Sequence, residues 1–232
     1  MTTIRADDYE RIVFFTGAGM SAESGVPTYR GRGGIWNQYR WEEYACQEAF
    51  DDNPEKVLQF HELRRQSVLA CKPHPGHFVV ADIAKKHPGV AIVTQNIDGM
   101  HQRAGNFEVV ELHGSLWRVR CPVHGIIVDL NEKYKSFRCE QCGNWLRPDI
   151  IWFGDMLNQD VIHEATRVIG QCDLFISVGT SGAVWPAAGF PKIAKEHGAR
   201  CIEINPEAND MSSIYDENIR EAAGNALPKL FE

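Results

Sequence analysis

Apolar residues gather in short runs separated by longer mixed stretches, the pattern of strands alternating with helices. Residues 11–16, 90–94, 108–112, 149–153, 174–178 and 200–204 are strand-sized runs rich in β-branched and aromatic side chains. Helix-length segments stand between several of them, at 76–86, 158–170 and 186–197. This alternation predicts an α/β fold with a doubly wound, Rossmann-like parallel sheet. Two stretches break the rhythm. Residues 36–72 read as a mostly helical insertion, and residues 118–147 hold a Cys/His cluster among short strands. The chain therefore divides into a larger domain of residues 1–35, 73–117 and 148–232 and a smaller one built from a helical module (36–72) and a metal-binding module (118–147). With no repeat and no long Gly/Ser linker, the small lobe is expected to pack on the sheet edge. Between the two would lie a cleft at the carboxyl ends of the strands, where such folds bind ligands.

Composition narrows the class without changing that picture. A chain of 232 residues, 44% hydrophobic and 24% charged, is globular rather than disordered, fibrous or disulfide-scaffolded. Its net charge of −7 leaves no basic field for a phosphate backbone, so nucleic acid is not expected as a partner. No apolar run approaches the roughly 18 residues of a membrane span, and the N-terminus lacks the basic and apolar regions of a signal peptide. Four of the seven cysteines, Cys46, Cys71, Cys172 and Cys201, are scattered singly, which suits reduced thiols. A soluble, monomeric, cytoplasmic protein is expected.

The first predicted strand runs into Gly17-Ala18-Gly19-Met20-Ser21-Ala22, a strand-to-helix turn of the G-x-G-x-x-A kind. Glycines there let backbone N–H groups approach a pyrophosphate. A tight turn that merely needs small residues would look the same. Residues 23–36 then form a Gly-rich loop rather than a helix leading to a second strand with a ribose-binding acid, which weighs against simple hydride transfer. Polar clusters sit just past other strand ends: Gln95, Asn96 and Asp98 with His101, then His113, then Gly179-Thr180-Ser181, then Asn205. Each alone reads as a cap or turn. Together they point into one cleft, where Asn and Asp hold an amide or a ribose and His acts as a base near neutral pH. His101, three residues after Asp98, reads as structural.

Cys121-Pro-Val-His124, then fourteen residues, then Cys139-Glu-Gln-Cys142, gives two ligand pairs at knuckle spacing. Four protein ligands leave no position for a catalytic water, so a zinc ion here would be structural. A nucleic-acid zinc ribbon and a degenerate site that has lost its metal are the competing readings.

Taken in order, Gly17-Ala-Gly-Met-Ser-Ala-Glu-Ser-Gly-Val-Pro-Thr-Tyr-Arg30, Thr94-Gln-Asn-Ile-Asp-Gly-Met-His101, Leu112-His-Gly-Ser115, the Cys/His cluster, Trp152-Phe-Gly154, Gly179-Thr-Ser181 and Asn205 resemble the sirtuins, NAD-dependent protein lysine deacylases. The resemblance spans about residues 10 to 230. It implies that NAD lies across Gly17, Ala18, Gly19, Glu23, Tyr29, Arg30 and Trp36, with Gln95, Asn96, Ile97 and Asp98 at the nicotinamide end and Gly179, Thr180, Ser181, Asn205 and Ala223 at the adenosine end. It also implies that the acyl oxygen attacks the ribose as nicotinamide leaves, that Asn96 and His113 are the catalytic pair with His113 as general base, and that nicotinamide, the free lysine and an O-acyl-ADP-ribose are the products. Acylated proteins or peptides would pair with the backbone at Phe153 and Gly154 as an added strand. Asp155 stands where the family usually has Glu.

Gly33-Gly34-Ile35-Trp36, Trp152 and Ala45 are similar to the class III branch, whose members prefer succinyl, malonyl or glutaryl lysine. That branch reads the acyl carboxylate with a Tyr and an Arg three residues apart on a helix. Here the Arg is Arg64 and His61 replaces the Tyr. The implied activity is deacylation favouring succinyl- or malonyl-lysine, with acetyl-lysine also accepted, and with His61 donating more strongly when protonated, so that desuccinylation falls as pH rises through its titration. A general deacetylase, an NAD hydrolase or an ADP-ribosyltransferase are the alternatives.

Overall fold

A computed structural model describes residues 3–29 and 33–231. Its larger sheet has six parallel strands: β1 (Ile12–Thr16), β2 (Val90–Thr94), β3 (Val109–Glu111), β7 (Leu174–Val178), β8 (Arg200–Ile204) and β9 (Glu217–Ile219), in the order β3-β2-β1-β7-β8-β9. The smaller sheet is antiparallel, with β4 (Gly114–Cys121) between β5 (Gly125–Val128) and β6 (Arg147–Ile150). The helices are α1 (Ala18–Ala22), α2 (Trp41–Tyr44), α3 (Gln47–Asp52), α4 (Pro54–Ala70), α5 (Pro75–Lys86), α6 (Met100–Arg103), α7 (Gln159–Gly170), α8 (Phe190–Glu196) and α9 (Ala223–Leu230).

Every residue of β1 is buried because helices cover both faces of the sheet. Ile12 and Phe14 pack with Val80 of α5 and with Ala226, Leu227 and Leu230 of α9. Val13 and Phe15 point the other way, against Ala165 and Ile169 of α7 and Phe190 and Ala194 of α8. A continuous apolar run is what a strand buried on both sides requires, since successive side chains face opposite layers. A third cluster joins Val57, Leu58 and Val68 of α4 to Leu116, Val119, Ile150 and Trp152, and so ties the helical insertion to the antiparallel sheet. Arg65 reinforces this seam. It is fully buried, donates to Leu116 O at 2.7 Å and to Asp129 at 3.2 Å, and stacks over Tyr134 at 3.8 Å.

One expectation needs correction. Residues 149–153 read as a strand of the parallel sheet, but β6 pairs antiparallel with β4 in the small sheet. A short apolar run carries no record of its partner. Beyond the predicted strands, residues 217–219 form β9, which completes the parallel sheet beside β8. Only Ile219 of that strand is buried, so no apolar run announces it.

Strand order reverses between β1 and β7, and both strands end in glycine turns there. Gly17 N donates to Val178 O at 2.9 Å and Gly19 N to Gly179 O at 2.9 Å. A Cβ on Gly19 would lie 2.7 Å from Gly179 Cα, and Gly179 itself has a φ of +62°, so two chain segments cross at a distance only glycines permit. This is the topological switch point, the ligand-binding position of doubly wound sheets.

Candidate active site

A cavity of about 1010 Å³ runs from this crossing to the small lobe. Gly17, Ala18, Gly19, Tyr29, Trp36, Gln95, Asn96, Ile97, His113, Gly179, Thr180, Ser181 and Asn205 line it, together with Ala45, His61, Arg64, Phe153 and Gly154. Residues from ten separate stretches thus share one space. Glu23, Asp98 and Ala223, expected at the cofactor, do not line it. Glu23 accepts from Gly224 N at 2.6 Å and so holds the start of α9. Asp98 accepts from Met100 N at 2.8 Å, and burial raises its pKa above the ordinary carboxylate range. Ala223 is buried in the core beneath. Arg30 lies outside the described residues.

Asn96 is 5% exposed, and its amide nitrogen is held by Gly17 O at 2.9 Å, which leaves its side-chain oxygen as the free end. His113 donates through Nδ1 to Gln95 O at 2.9 Å. That bond fixes the tautomer and leaves Nε2 able to accept a proton. Burial lowers the His113 pKa, with the bond to Gln95 opposing it, so the ring is the neutral base at physiological pH. At the far end, Asn205 and Asn209 both donate to Thr180 O, at 2.8 and 3.2 Å, and lock the Gly179–Ser181 turn. Asn209 and Glu207 line the cavity too, although nothing in their local sequence marks them. Their presence follows from β9 pulling the preceding loop over the switch point.

Aromatic side chains wall the small-lobe side. Trp36 meets Phe153 edge-on at 5.7 Å, and Trp41 packs on Phe153 at 4.5 Å. The backbone N–H of Phe153 donates to Ala45 O at 3.0 Å and Phe153 bridges to Cys46, which ties this extended segment to the start of α3. Arg64 is 9% exposed, its guanidinium carbon stands 5.2 Å over the Tyr29 ring, and its Nε is buried without a hydrogen-bond partner. Among the described residues no carboxylate lies within ion-pair distance of it.

His61 corrects the expectation set for it. Its ring is 4% exposed, Nδ1 donates to Val57 O at 2.8 Å, and Nε2 accepts from Trp152 Nε1 at 3.4 Å. Burial depresses its pKa to about 3. The ring stays neutral across the physiological range and its one N–H is spent on its own helix, so it does not supply a pH-dependent donor to the cleft.

Cys121, His124, Cys139 and Cys142 bring their ligand atoms within 4.8 Å of one another. Individual edges are 3.5 Å (Cys121 Sγ to His124 Nδ1), 3.5 Å (Cys121 Sγ to Cys142 Sγ) and 3.3 Å (Cys139 Sγ to His124 Nδ1). A tetrahedron with Zn–S near 2.3 Å and Zn–N near 2.0 Å has edges of roughly 3.5–3.8 Å, close to these separations, so this Cys₃His set fits one structural zinc ion. It sits at the β4–β5 turn, away from the residues that line the cavity.

The Sir2 family model matches residues 17–186. An NAD-dependent protein deacylase of Aquifex aeolicus is 42% identical over 229 residues, covering 95% of this chain and 94% of that protein. NAD-dependent protein deacylase 2 of Pyrobaculum aerophilum is 46% identical over 222 residues, covering 95% and 89%. The crystal structure of a Sir2 homolog–NAD complex superposes with a TM-score of 0.88 at 39% identity, covering 97% of this chain and 89% of that one. Fold and cleft thus define a nucleotide-binding α/β protein with a zinc-bearing lobe. The chain belongs to the Sir2 family.

Proposed function

We propose that this cleft removes acyl groups from lysine side chains of proteins with NAD as co-substrate, releasing nicotinamide and the acyl group as O-acyl-ADP-ribose. The observation that carries the reading is His113: a half-buried, neutral imidazole whose tautomer is fixed by Gln95, in the same cavity as the glycine crossing and the Phe153–Gly154 backbone. NAD would supply an activated glycosidic carbon. Gly17, Ala18, Gly19, Gly179, Thr180 and Ser181 would hold its phosphates and adenosine end, with Tyr29, Trp36 and Arg30 over the nicotinamide ribose. Asn96 and Ile97 would hold the nicotinamide end beside Gln95, with Asp98 and Glu23 bracing these segments from behind. His113 Nε2 would take the ribose hydroxyl proton. Relatives that carry the deacylase name over nearly their whole length support this reading. The division into a NAD-binding domain (1–35, 73–117, 148–232) and a small domain (36–72, 118–147) belongs to the same proposal.

The acyl preference we assign is for chains that end in a carboxylate, such as succinyl or malonyl, with acetyl also accepted. Arg64 supports it: a buried cation in the cleft with no counter-ion among the described residues is a ready partner for a substrate anion. His61 favours the second reading, a general deacetylase, because neither ring nitrogen has an N–H to offer. A cytoplasmic monomer is the accompanying proposal; the absence of a disulfide among the seven cysteines suits a reducing compartment. Mass spectrometry of the protein with NAD and two peptides, acetylated or succinylated on the same lysine, tests the activity and its acyl preference. Faster loss of succinyl with O-succinyl-ADP-ribose supports Arg64 as the reader, faster loss of acetyl supports the second reading, and NAD consumption with both peptides intact overturns deacylation.

A further inference from the structure

Arg147 lies on β6, does not line the cavity, and has a side chain 15% exposed. Its guanidinium carbon stacks 3.9 Å from the Trp152 ring centre, and its Nη2 pairs with Asp155 Oδ2 at 2.5 Å. The same carboxylate oxygen accepts from Trp152 N at 2.9 Å, and Asp155 N donates to Trp152 O at 3.1 Å. Arg147, Asp155 and Trp152 therefore form a closed ring of contacts. Among the described residues Asp155 is the one carboxylate in ion-pair reach of Arg147, whose Nε is buried without a partner. The indole so held is 4% exposed, packs against Phe50 at 5.6 Å on another side, and reaches His61 through its Nε1–H. Trp152 and His61 line the cleft on its small-lobe side, as does Ala45.

We propose that Arg147 and Asp155 are positioning residues that set the width of the acyl channel by clamping Trp152 against His61. The guanidinium occupies one face of the indole and the carboxylate anchors its backbone, so the ring has one orientation available to it. Without the guanidinium the ring gains free space on that face and turns aside, and the channel accepts longer acyl chains. A guanidinium suits this task because it is flat, always charged, and able to stack and pair at once. The proposal rests on reading this end of the cleft as the acyl-lysine channel.

The test is a double-mutant cycle read in substrate selectivity. Peptides carrying acetyl or hexanoyl on one lysine are assayed with wild type, Arg147→Met, Asp155→Asn and the double variant, with KM for NAD and thermal midpoint measured alongside. Asp155→Asn keeps an acceptor for Trp152 N and removes only the charge. Each single variant should raise the hexanoyl-to-acetyl ratio of kcat/KM by about fivefold or more, the double variant should add nothing beyond either single, and KM for NAD should not move. Arg147→Lys, which keeps the ion pair and loses the flat stack, serves if Arg147→Met does not fold, and should shift the ratio in the same direction. An unchanged ratio in folded variants, or single effects that add in the double, overturns the clamp. A wild type that consumes NAD and deacylates neither peptide overturns instead the channel reading on which the clamp depends.

Discussion

Replacing Arg64 with Met removes a charge and keeps most of the volume, and the structure gives opposite signs for its effects on stability and on one class of substrate. The side chain is 9% exposed, its Nε has no partner among the described residues, and its guanidinium carbon stands 5.2 Å over the Tyr29 ring. Asp98 feels its charge, yet the two form no ion pair. An incompletely compensated buried cation carries a desolvation cost of several kcal/mol, so Arg64→Met should leave the thermal midpoint unchanged or raise it. With succinyl-lysine in the channel, a charge-assisted hydrogen bond to the carboxylate contributes about 1.5–3 kcal/mol net. Its loss should lower kcat/KM for the succinyl peptide by roughly 10- to 150-fold, at 1.4 kcal/mol per factor of ten. The acetyl peptide presents no charge there and should change by less than about threefold. The assay is parallel kcat/KM determination on peptides that differ only in the acyl group, with the melting curve as control. Equal losses on both peptides, or a fall in melting temperature, would refute the assignment and make Arg64 a structural residue.

Replacement of His113 by Ala should cost about 10²- to 10⁴-fold in kcat while NAD still binds, as measured by steady-state turnover and by calorimetric titration. Because burial lowers the His113 pKa, the acid limb of kcat/KM should lie below the ordinary imidazole range near 6.5, and a limb above it would contradict the geometry. His61, held neutral with a pKa near 3, should leave the succinyl-to-acetyl ratio flat between about pH 6 and 9. His61, His77 and His101 have pKa values lowered to about 3, 2 and 4 by burial, so the unfolded chain takes up protons that the native fold refuses. Stability should be full above the unfolded value near 6.5 and should fall as pH drops toward 4, by about 1.4 kcal/mol per pH unit for each histidine, measurable by urea unfolding. Zinc chelation should release one metal ion per chain and lower the melting temperature, since the four ligands join the β4–β5 turn to residues 139–142.

Several central features were legible in the chain. The runs at 12–16, 90–94 and 174–178 are continuous and apolar, and each is a central strand covered on both faces. The glycine turns and the polar residues after strand ends were readable as a cleft because a parallel sheet brings all its carboxyl ends to one side. The four metal ligands were readable because two-residue spacing closes a knuckle locally.

Long-range partners decided the rest. Which sheet receives residues 147–150 depends on β4, distant in sequence, and β9 exists because β8 offers an edge rather than because its own residues demand a strand. The identities of Glu23 and Asp98 fit cofactor contacts, yet the fold turns both to brace backbone N–H groups. His61 shows the limit most plainly. Sequence supplies an imidazole, but its charge and its free nitrogens depend on Val57 a turn earlier and on Trp152 across the lobe. Residue type fixes what a side chain is able to do; burial and hydrogen-bond partners, which only the tertiary structure assembles, select what it does.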